Sequence, residues 1–278
     1  MDADRLTIRS SHTVSLILPA FNEEAVIESA IVEADLALRQ LFRDYEIIVV
    51  DDGSSDRTVG LVREMIADRP NVRLIRHSEN YGYGAALRTG FEAATFDRIA
   101  FTDADCQFDL LELGELVRRT SQSPIVVGHR VQRKDPWRRR FLSRGYNWLA
   151  RSFLGTRVRD CDCALKVFRR EALVNLMPES RGFFVNTEML TRARQLGYNV
   201  VEVPVTHRPR LGGDSKVSLW EVPRTFQTLI SFWWANVLFG PKVILTMPEP
   251  EVFSARIAIN SRLGAEVVMQ DLDRQPSS

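Results

Sequence analysis

Residues 14–23 read Val-Ser-Leu-Ile-Leu-Pro-Ala-Phe-Asn-Glu, a mostly apolar run followed directly by polar residues. The run 14–18 is typical of a buried strand, which we expect to end at Pro19. Asn22 is placed to cap a following helix, whose apolar residues recur at helical spacing as far as Leu41. The stretch therefore predicts a strand followed by a helix.

The same alternation continues along the first half of the chain. Its pattern predicts further strands at 45–50, 72–75, 98–102 and 125–127, and further helices at 58–67, 83–94 and 110–119. The second half carries a weaker helix pattern at 187–196 and a strand pattern at 199–205. Continuously apolar strands that alternate with helices predict an α/β fold, a Rossmann-like, mostly parallel sheet with helices on both faces.

Composition excludes several classes of protein. The 278 residues are 45% hydrophobic and 26% charged, which argues against disordered, fibrous and coiled-coil proteins. The net charge of +1 argues against a globally basic nucleic-acid binder, and three Cys residues form no disulfide framework. Cys161 and Cys163 have no second Cys pair or nearby His, so we expect no zinc site.

The chain shows no targeting or membrane-spanning pattern. Its first residues are polar, so we expect no signal peptide, and no apolar run reaches the roughly 18 residues of a membrane span. With few Cys residues, a reducing, cytoplasmic compartment is the default expectation.

Acidic residues follow two of the predicted strands. Because ligands of open α/β sheets bind outside the carboxyl ends of the strands, these loops are candidate sites. Asp103 and Asp105 are either solvated surface acids or ligands of a hard divalent cation such as Mg²⁺ or Mn²⁺. Asp51 begins a loop in which Ser55 or Asp56 caps the next helix, and its carboxylate suits a ribose hydroxyl or a base N–H.

Three later stretches are ambiguous by themselves. The glycine-rich segment 80–90 fits neither the dinucleotide-binding nor the P-loop pattern. Segment 130–159 holds ten Arg or Lys residues and one acid, interleaved with aromatic residues, and is a phosphate-binding surface, a solvated face or an anionic-lipid patch. Segment 226–239, with Trp233 and Trp234, is a core helix, an interfacial helix or a protein contact.

Taken together, stretches 14–23, 49–58, 80–90 and 103–107 resemble the family 2 glycosyltransferases, which have the GT-A fold. Within that family the chain most resembles the dolichol-phosphate mannosyltransferase and polyprenyl-phosphate glycosyltransferase branch. Asp105-x-Gln107 is similar to the branch's metal motif, 160–166 to its Asp-Thr-Gln-Cys-Gly-Phe-Lys stretch, and 210–216 to its Arg-x-x-Gly-x-Ser-Lys stretch. The resemblance covers residues 12–225, although Asp162, Ala164 and Leu165 depart from the branch's pattern.

The resemblance implies a role for each matching residue. Base and ribose contacts would come from Pro19, Phe21, Glu23 and Asp51. Asp103, Ala104 and Asp105 would meet the ribose and diphosphate, and Mg²⁺ or Mn²⁺ would be held by Asp105 and Gln107 together with Asp103. Donor or acceptor phosphates would face Arg130, Arg139, Arg210 and Lys216, and Glu188 would lie near the transferred sugar.

The implied reaction moves a hexose, with inversion, from a nucleotide-sugar such as GDP-mannose or UDP-glucose to a polyprenyl phosphate. A lipid phosphate is already an anionic nucleophile, whereas a saccharide or soluble hydroxyl acceptor would require Glu188 or another acid as general base. An inactive nucleotide-binding scaffold is the alternative outside this class. We expect a GT-A domain at 1–225, a membrane-interface helix at 226–247 and a polar tail at 248–278, peripheral on the cytosolic face of a membrane.

Overall fold

Eight strands form one sheet in the part of the chain that the structure describes. The computed structural model describes residues 9–131, 145, 148, 151, 152, 154–156, 158–209 and 265–268, the last of these by their backbone alone. The strands are β1 Val14–Ala20, β2 Tyr45–Asp51, β3 Val72–His77, β4 Arg98–Phe101, β5 Ile125–Val131, β6 Lys166–Arg169, β7 Val200–Thr206 and β8 Ala265–Val268. Their order across the sheet is β7-β5-β6-β4-β1-β2-β3-β8.

The sheet is mostly parallel, as the sequence predicted. Parallel pairs join β1 to β2 and to β4, β2 to β3, and β5 to β7. The exceptions are β6, antiparallel to β4 and β5, and β8, antiparallel to β3. The other six strands point their carboxyl ends to one edge of the sheet. Neither β6 nor β8 was predicted, since β6 is four residues long with a charged residue at each end, and β8 lies within the segment expected to be a polar tail.

Helices follow the strands, with small changes from the predicted bounds. They are α1 Ile27–Leu41, α2 Thr58–Ile66, α3 Tyr83–Ala93, α4 Leu113–Arg119, α5 Arg170–Leu173 and α6 Val185–Gln195, with 3₁₀ turns at Leu110–Glu112 and Val174–Leu176. The predicted Asn22 cap is wrong, because α1 begins at Ile27 and no side chain caps it. Asn22 instead has a φ of 51°, and its Oδ1 accepts a hydrogen bond from the Ser55 amide at 2.8 Å.

The core lies on both faces of the central strands. Every residue of β1 and β2 is buried, which requires packing on both faces of the sheet. Helix α3 lies directly against β1, because a Cβ at Gly90 would overlap the Ile17 side chain. The packed core holds the central strands in place, and these strands in turn position the loops at their carboxyl ends.

Candidate active site

The loops after β1 and β2 are bound to each other by hydrogen bonds. Ala20 and Asp51 are paired at the ends of their strands, and the Asp52 amide donates to the Ala20 carbonyl at 2.8 Å. The Asn22 amide donates to Ser54 Oγ at 2.8 Å, and the Glu23 amide donates to Thr58 Oγ1 at 2.8 Å. Residues 20–23 and 51–58 therefore form one wall of the candidate site.

Asp51 is the buried residue of this wall whose hydrogen bonding is incomplete. Its side chain is fully buried, and Oδ2 accepts from the Ser54 amide at 3.1 Å. Among the described residues, Oδ1 has no hydrogen-bond partner, and neither does the buried Nε of Arg76, which lies 3.8 Å from Asp51 Oδ2. A buried acceptor and a buried donor side by side are what a hydrogen-bonding ligand would satisfy.

Asp52, by contrast, is used within the protein. Its Oδ1 accepts from the Tyr81 amide at 3.0 Å and lies 2.7 Å from His77 Nδ1, and its Oδ2 accepts from the Gly82 amide at 2.8 Å. The carboxylate thus holds the glycine-rich entry to α3 against the end of β2. Gly82 has a φ of +101°, which favours glycine at that position.

The predicted metal motif follows β4 and faces α3. Tyr83, the first residue of α3, donates its hydroxyl to Asp103 Oδ1 at 2.8 Å. Burial and then the charge of Asp103 raise the pKa of Tyr83 well above its ordinary value, so this hydroxyl remains a donor. Asp105 is buried, and its Oδ1 accepts a hydrogen bond from the backbone amide of Gln107 at 3.2 Å.

The residues of this motif suit a divalent cation that also contacts phosphate. Gln107 donates Nε2 to the Arg208 carbonyl at 3.3 Å, which leaves its amide oxygen for another partner. Carboxylate and amide oxygens are the ligands of Mg²⁺ and Mn²⁺. Within the described residues, no three His, Cys, Asp or Glu side chains gather as a closed metal cage. The set fits an ion that takes its remaining ligands from a diphosphate and water.

A loop at residues 179–183 covers the entry to α3. The Gly84 amide donates to the Arg181 carbonyl at 2.6 Å, and a Cβ at Gly84 would overlap the Ser180 carbonyl oxygen. The Phe183 ring, 40% exposed, stacks on Tyr83 with 5.3 Å between ring centroids. This loop therefore lies beside Asp103.

Glu188 holds the 179–183 loop through hydrogen bonds to its backbone. Its side chain is 1% exposed, and its Oε1 and Oε2 accept from the amides of Glu179 and Ser180 at 2.9 and 2.8 Å. Arg192 Nη2 forms an ion pair with Oε1 at 2.9 Å. Both carboxylate oxygens thus have partners within the protein, close to the site but not directed into it.

The segment after residue 159 is joined to the site by Lys166. This buried side chain donates to the carbonyls of Cys161, at 3.0 Å, and Cys163, and to Asn186 Oδ1 at 2.8 Å. Burial lowers the pKa of Lys166. The Asn186 side chain also lies near the Tyr83 hydroxyl. Lys166 therefore connects the 160–166 segment to α6.

Arg130, predicted to face a phosphate, lies in a buried ion pair. Its Nε and Nη2 donate to the two carboxylate oxygens of Asp160 at 2.7 and 2.8 Å. Burial opposes the charge, but the Asp160 hydrogen bonds outweigh it and raise the pKa of Arg130. The pair joins the end of β5 to the segment before β6. A phosphate contact by Arg130 would have to share its guanidinium with Asp160.

The remaining predicted residues have different outcomes. Pro19 and Ala104 are buried at the ends of β1 and β4, and Phe21 and Glu23 are half-buried in the wall described above. Arg139, Arg210, Lys216 and the segments 226–247 and 210–225 lie outside the described residues. The structure thus brings together Asp51, Asp103, Asp105 and Gln107, and places Glu188 behind the 179–183 loop.

Sequence reasoning missed three residues that shape the site. Arg76 lies near the end of a strand that was predicted two residues too short, and Asn186 lies before the predicted helix start. Tyr83 was part of the quoted glycine-rich stretch, but no spacing rule connects it with Asp103. Its contact depends on how α3 crosses the ends of the strands.

In the described part of the chain, no helix is both long and apolar enough to cross a membrane. Trp148 is 64% exposed, and the neighbouring Arg151 is exposed as well. Both belong to the basic segment 130–159, most of which lies outside the described residues.

Several curated proteins are similar to this chain over most of its length. Glycosyltransferase AglD of Haloferax volcanii is 34% identical over 232 residues, which cover 80% of this chain and 37% of AglD. The undecaprenyl-phosphate 4-deoxy-4-formamido-L-arabinose transferase of Enterobacter sp. strain 638 is 32% identical over 228 residues, 81% of this chain and 68% of that protein. The chain thus spans only part of the length of each relative.

Solved structures with a similar fold include glucosyl-3-phosphoglycerate synthase from Mycobacterium tuberculosis. Its complex with Mn²⁺, uridine diphosphate and glucosyl-3-phosphoglycerate gives a TM-score of 0.61 at 24% identity, over 79% of this chain and 78% of that chain. This likeness confirms the predicted GT-A type of α/β fold. The family model described as "Glycosyl transferase family 2" matches residues 15–176, more than half of the sequence, and the chain therefore belongs to glycosyl transferase family 2.

Proposed function

We propose that this chain transfers a hexose, with inversion, from a nucleotide-sugar to a polyprenyl phosphate. The observation that carries the choice of acceptor is the state of Glu188, whose two oxygens receive the Glu179 and Ser180 amides. A carboxylate held in this way is a poor general base for a hydroxyl acceptor. A lipid phosphate needs none, because it is already an anion.

The relatives support this acceptor. The names of the transferases from Enterobacter sp. and from Pseudomonas fluorescens specify undecaprenyl phosphate, and the latter is 34% identical over 74% of this chain. Because the chain covers 68% and 61% of these two proteins, their acceptor is carried over here as part of the proposal.

The base of the donor would lie against Asp51 and Arg76. Asp51 Oδ1 supplies one acceptor and Arg76 Nε one donor, both buried and both unsatisfied among the described residues. The edge of uracil presents one N–H between two carbonyl oxygens, and this pair matches the N–H and one of the carbonyls. The edge of guanine presents two N–H donors beside one carbonyl, so a single acceptor leaves one donor unmatched. A buried N–H without a partner is rarer in proteins than a carbonyl oxygen that lacks one, so the arrangement favours UDP-glucose over GDP-mannose as donor.

The diphosphate would lie against the loop after β4. When bound there, Mg²⁺ or Mn²⁺ supplies positive charge that stabilises the departing nucleoside diphosphate. Asp105 and Gln107 would hold the ion, with Asp103 between it and the ribose. Tyr83 keeps Asp103 in place through its hydroxyl. The 179–183 loop, held by Glu188, closes this side of the site and limits access of water to the transferred sugar.

The acceptor implies contact with a membrane surface. Trp148 and Arg151 are exposed, and tryptophan with arginine is a combination suited to the headgroup region of an anionic bilayer. We propose that the surface around Trp148 and Arg151 lies against the cytosolic face of a membrane, where the lipid phosphate is presented.

Transfer of radiolabelled sugar tests the reaction. UDP-[¹⁴C]glucose and GDP-[¹⁴C]mannose are each incubated with the chain, Mn²⁺ and undecaprenyl phosphate in detergent, and the organic phase is counted. We expect label from UDP-glucose in the organic phase, and none with the variant Asp105→Ala. Metal-dependent release of UDP without organic label would mean a different acceptor, and label from GDP-mannose alone would overturn the assignment of the base.

A binding measurement tests the membrane contact separately. Co-sedimentation with vesicles of phosphatidylcholine and phosphatidylglycerol is compared for the wild-type chain and Trp148→Gln, with exposed Leu36→Gln on α1 as the matched control. We expect weaker binding for the Trp148 variant alone. Absence of wild-type binding to anionic vesicles would contradict a peripheral membrane position.

A further inference from the structure

Four side chains lie in a row that ends on the first aspartate of the metal motif. Buried Lys166 donates Nζ to Asn186 Oδ1 at 2.8 Å, and the Asn186 side chain lies near the Tyr83 hydroxyl. Tyr83 in turn donates to Asp103 Oδ1 at 2.8 Å. These residues come from β6, α6, α3 and the loop after β4, so the row crosses the whole site.

The direction of each of these two hydrogen bonds is fixed by the groups at its ends. Lys166 has only donors, so Asn186 must accept through its oxygen. The Asp103 carboxylate is an acceptor, so the single O–H of Tyr83 is directed to it.

The backbone of Tyr83 is fixed as firmly as its hydroxyl. The preceding Gly82 amide donates to Asp52 at 2.8 Å, and the following Gly84 amide donates to the Arg181 carbonyl at 2.6 Å. Phe183 covers the ring face. Such constraints exceed what a helix start requires, and they hold a hydroxyl 2.8 Å from a carboxylate at the predicted donor site.

We propose that Tyr83 is a positioning residue, which fixes the Asp103 carboxylate in the orientation that binds the ribose and diphosphate of the donor. The inference rests on the proposed function, because it assigns Tyr83 a role in donor binding. It adds a residue of the glycine-rich stretch to the residues on which the metal motif depends.

The test measures UDP binding in the presence of Mn²⁺ by isothermal titration calorimetry, without turnover. Tyr83→Phe removes one oxygen and keeps the ring that stacks on Phe183. We expect its Kd for UDP to rise about tenfold, the size expected for a lost hydrogen bond to a charged group. Tyr81→Phe is the matched control, since the Tyr81 hydroxyl contacts exposed Ser78 at 2.9 Å, and its Kd should stay within about twofold of wild type.

A double-mutant cycle with Asp103→Asn separates positioning from general loosening. If Tyr83 acts through the Asp103 charge, Tyr83→Phe should change the Kd by less than about threefold in the Asp103→Asn background. Asn186→Asp provides a second approach that keeps the acceptor for Lys166. Its carboxylate would draw the Tyr83 hydroxyl away from Asp103, so UDP binding should weaken as in Tyr83→Phe.

The outcomes distinguish the two proposals. If the wild-type chain binds neither UDP nor GDP with Mn²⁺, the proposed function fails and this inference fails with it. If the wild-type chain binds UDP and Tyr83→Phe binds it equally well, or the two substitutions are fully additive, this inference alone is wrong.

Discussion

Replacing Glu188 by Gln distinguishes a loop support from a general base. The substitution keeps the shape of the side chain but leaves one oxygen where two accepted hydrogen bonds from the Glu179 and Ser180 amides. The new NH₂ group faces an amide N–H, and Arg192 loses the buried member of its ion pairs. Arg192 keeps Glu179 and the Met177 carbonyl as partners, which limits the damage.

The magnitude follows from the bonds that are lost. A hydrogen bond to a charged group contributes about 1.5–3 kcal/mol, and an unsatisfied buried donor adds to the loss. We therefore expect the free energy of unfolding to fall by about 2–4 kcal/mol. The melting temperature should drop by about 3–7 °C in differential scanning fluorimetry. Glu179→Gln is the control, because that exposed side chain contacts the same Arg192 and should change stability by less than about 0.5 kcal/mol.

Activity separates the two roles. Well below the melting temperature, the 179–183 loop is still held by the Gly84–Arg181 hydrogen bond and by the stacking of Phe183 on Tyr83. We therefore expect kcat to fall by less than about tenfold, whereas loss of a general base lowers the rate by about 10²–10⁴. An unchanged melting temperature together with a rate loss of that larger size would refute the assignment of Glu188 as a support.

Three further predictions concern the metal motif, the entry to α3 and the thiols. Asp105→Asn should lower the rate of Mn²⁺-dependent transfer by about 10²-fold or more. The control Asp68→Asn, at an exposed position, should leave that rate unchanged. Equal rates for the two variants in steady-state assays would contradict a role for Asp105 at the diphosphate. Gly84→Ala should destabilise the fold by about 1–3 kcal/mol in urea unfolding, because the new Cβ overlaps the Ser180 carbonyl oxygen. Gly60→Ala, with open space around it, should stabilise α2 by about 0.5–1 kcal/mol. An unchanged free energy of unfolding for Gly84→Ala would show that the 179–183 loop is not packed there. Burial raises the pKa of Cys106 from 9.0 to about 11, so between these pH values the folded thiol keeps a proton that the unfolded chain releases. The stabilising contribution of this thiol is complete below pH 9.0 and should be lost as the pH rises through about 11. Iodoacetamide should label the native thiol slowly at pH 8.5, and rapid labelling would argue against its burial.

The sequence by itself determined the α/β class and the order of the first strands and helices. Mostly apolar runs such as 14–18 and 45–50 are local signals, and the strands they predict are present in the structure. The acids that follow the strands were predicted for the same reason, since the carboxyl ends of parallel strands must meet at one edge. Asp51, Asp103 and Asp105 accordingly lie together at that edge.

Only the tertiary structure decided which polar groups already have partners. Arg130 and Glu188 carry the charges expected of site residues. The Asp160 carboxylate, 30 residues further along the chain, occupies Arg130, and two loop amides, 9 and 8 residues before Glu188, occupy its carboxylate. The local sequence does not predict strand β6 either. Four residues with a charged residue at each end form a strand only because β4 and β5 pair with them on both sides. The contact of Tyr83 with Asp103 has the same origin. Hydrogen bonds between segments depend on how the elements pack, and no pattern of spacing along the chain encodes that.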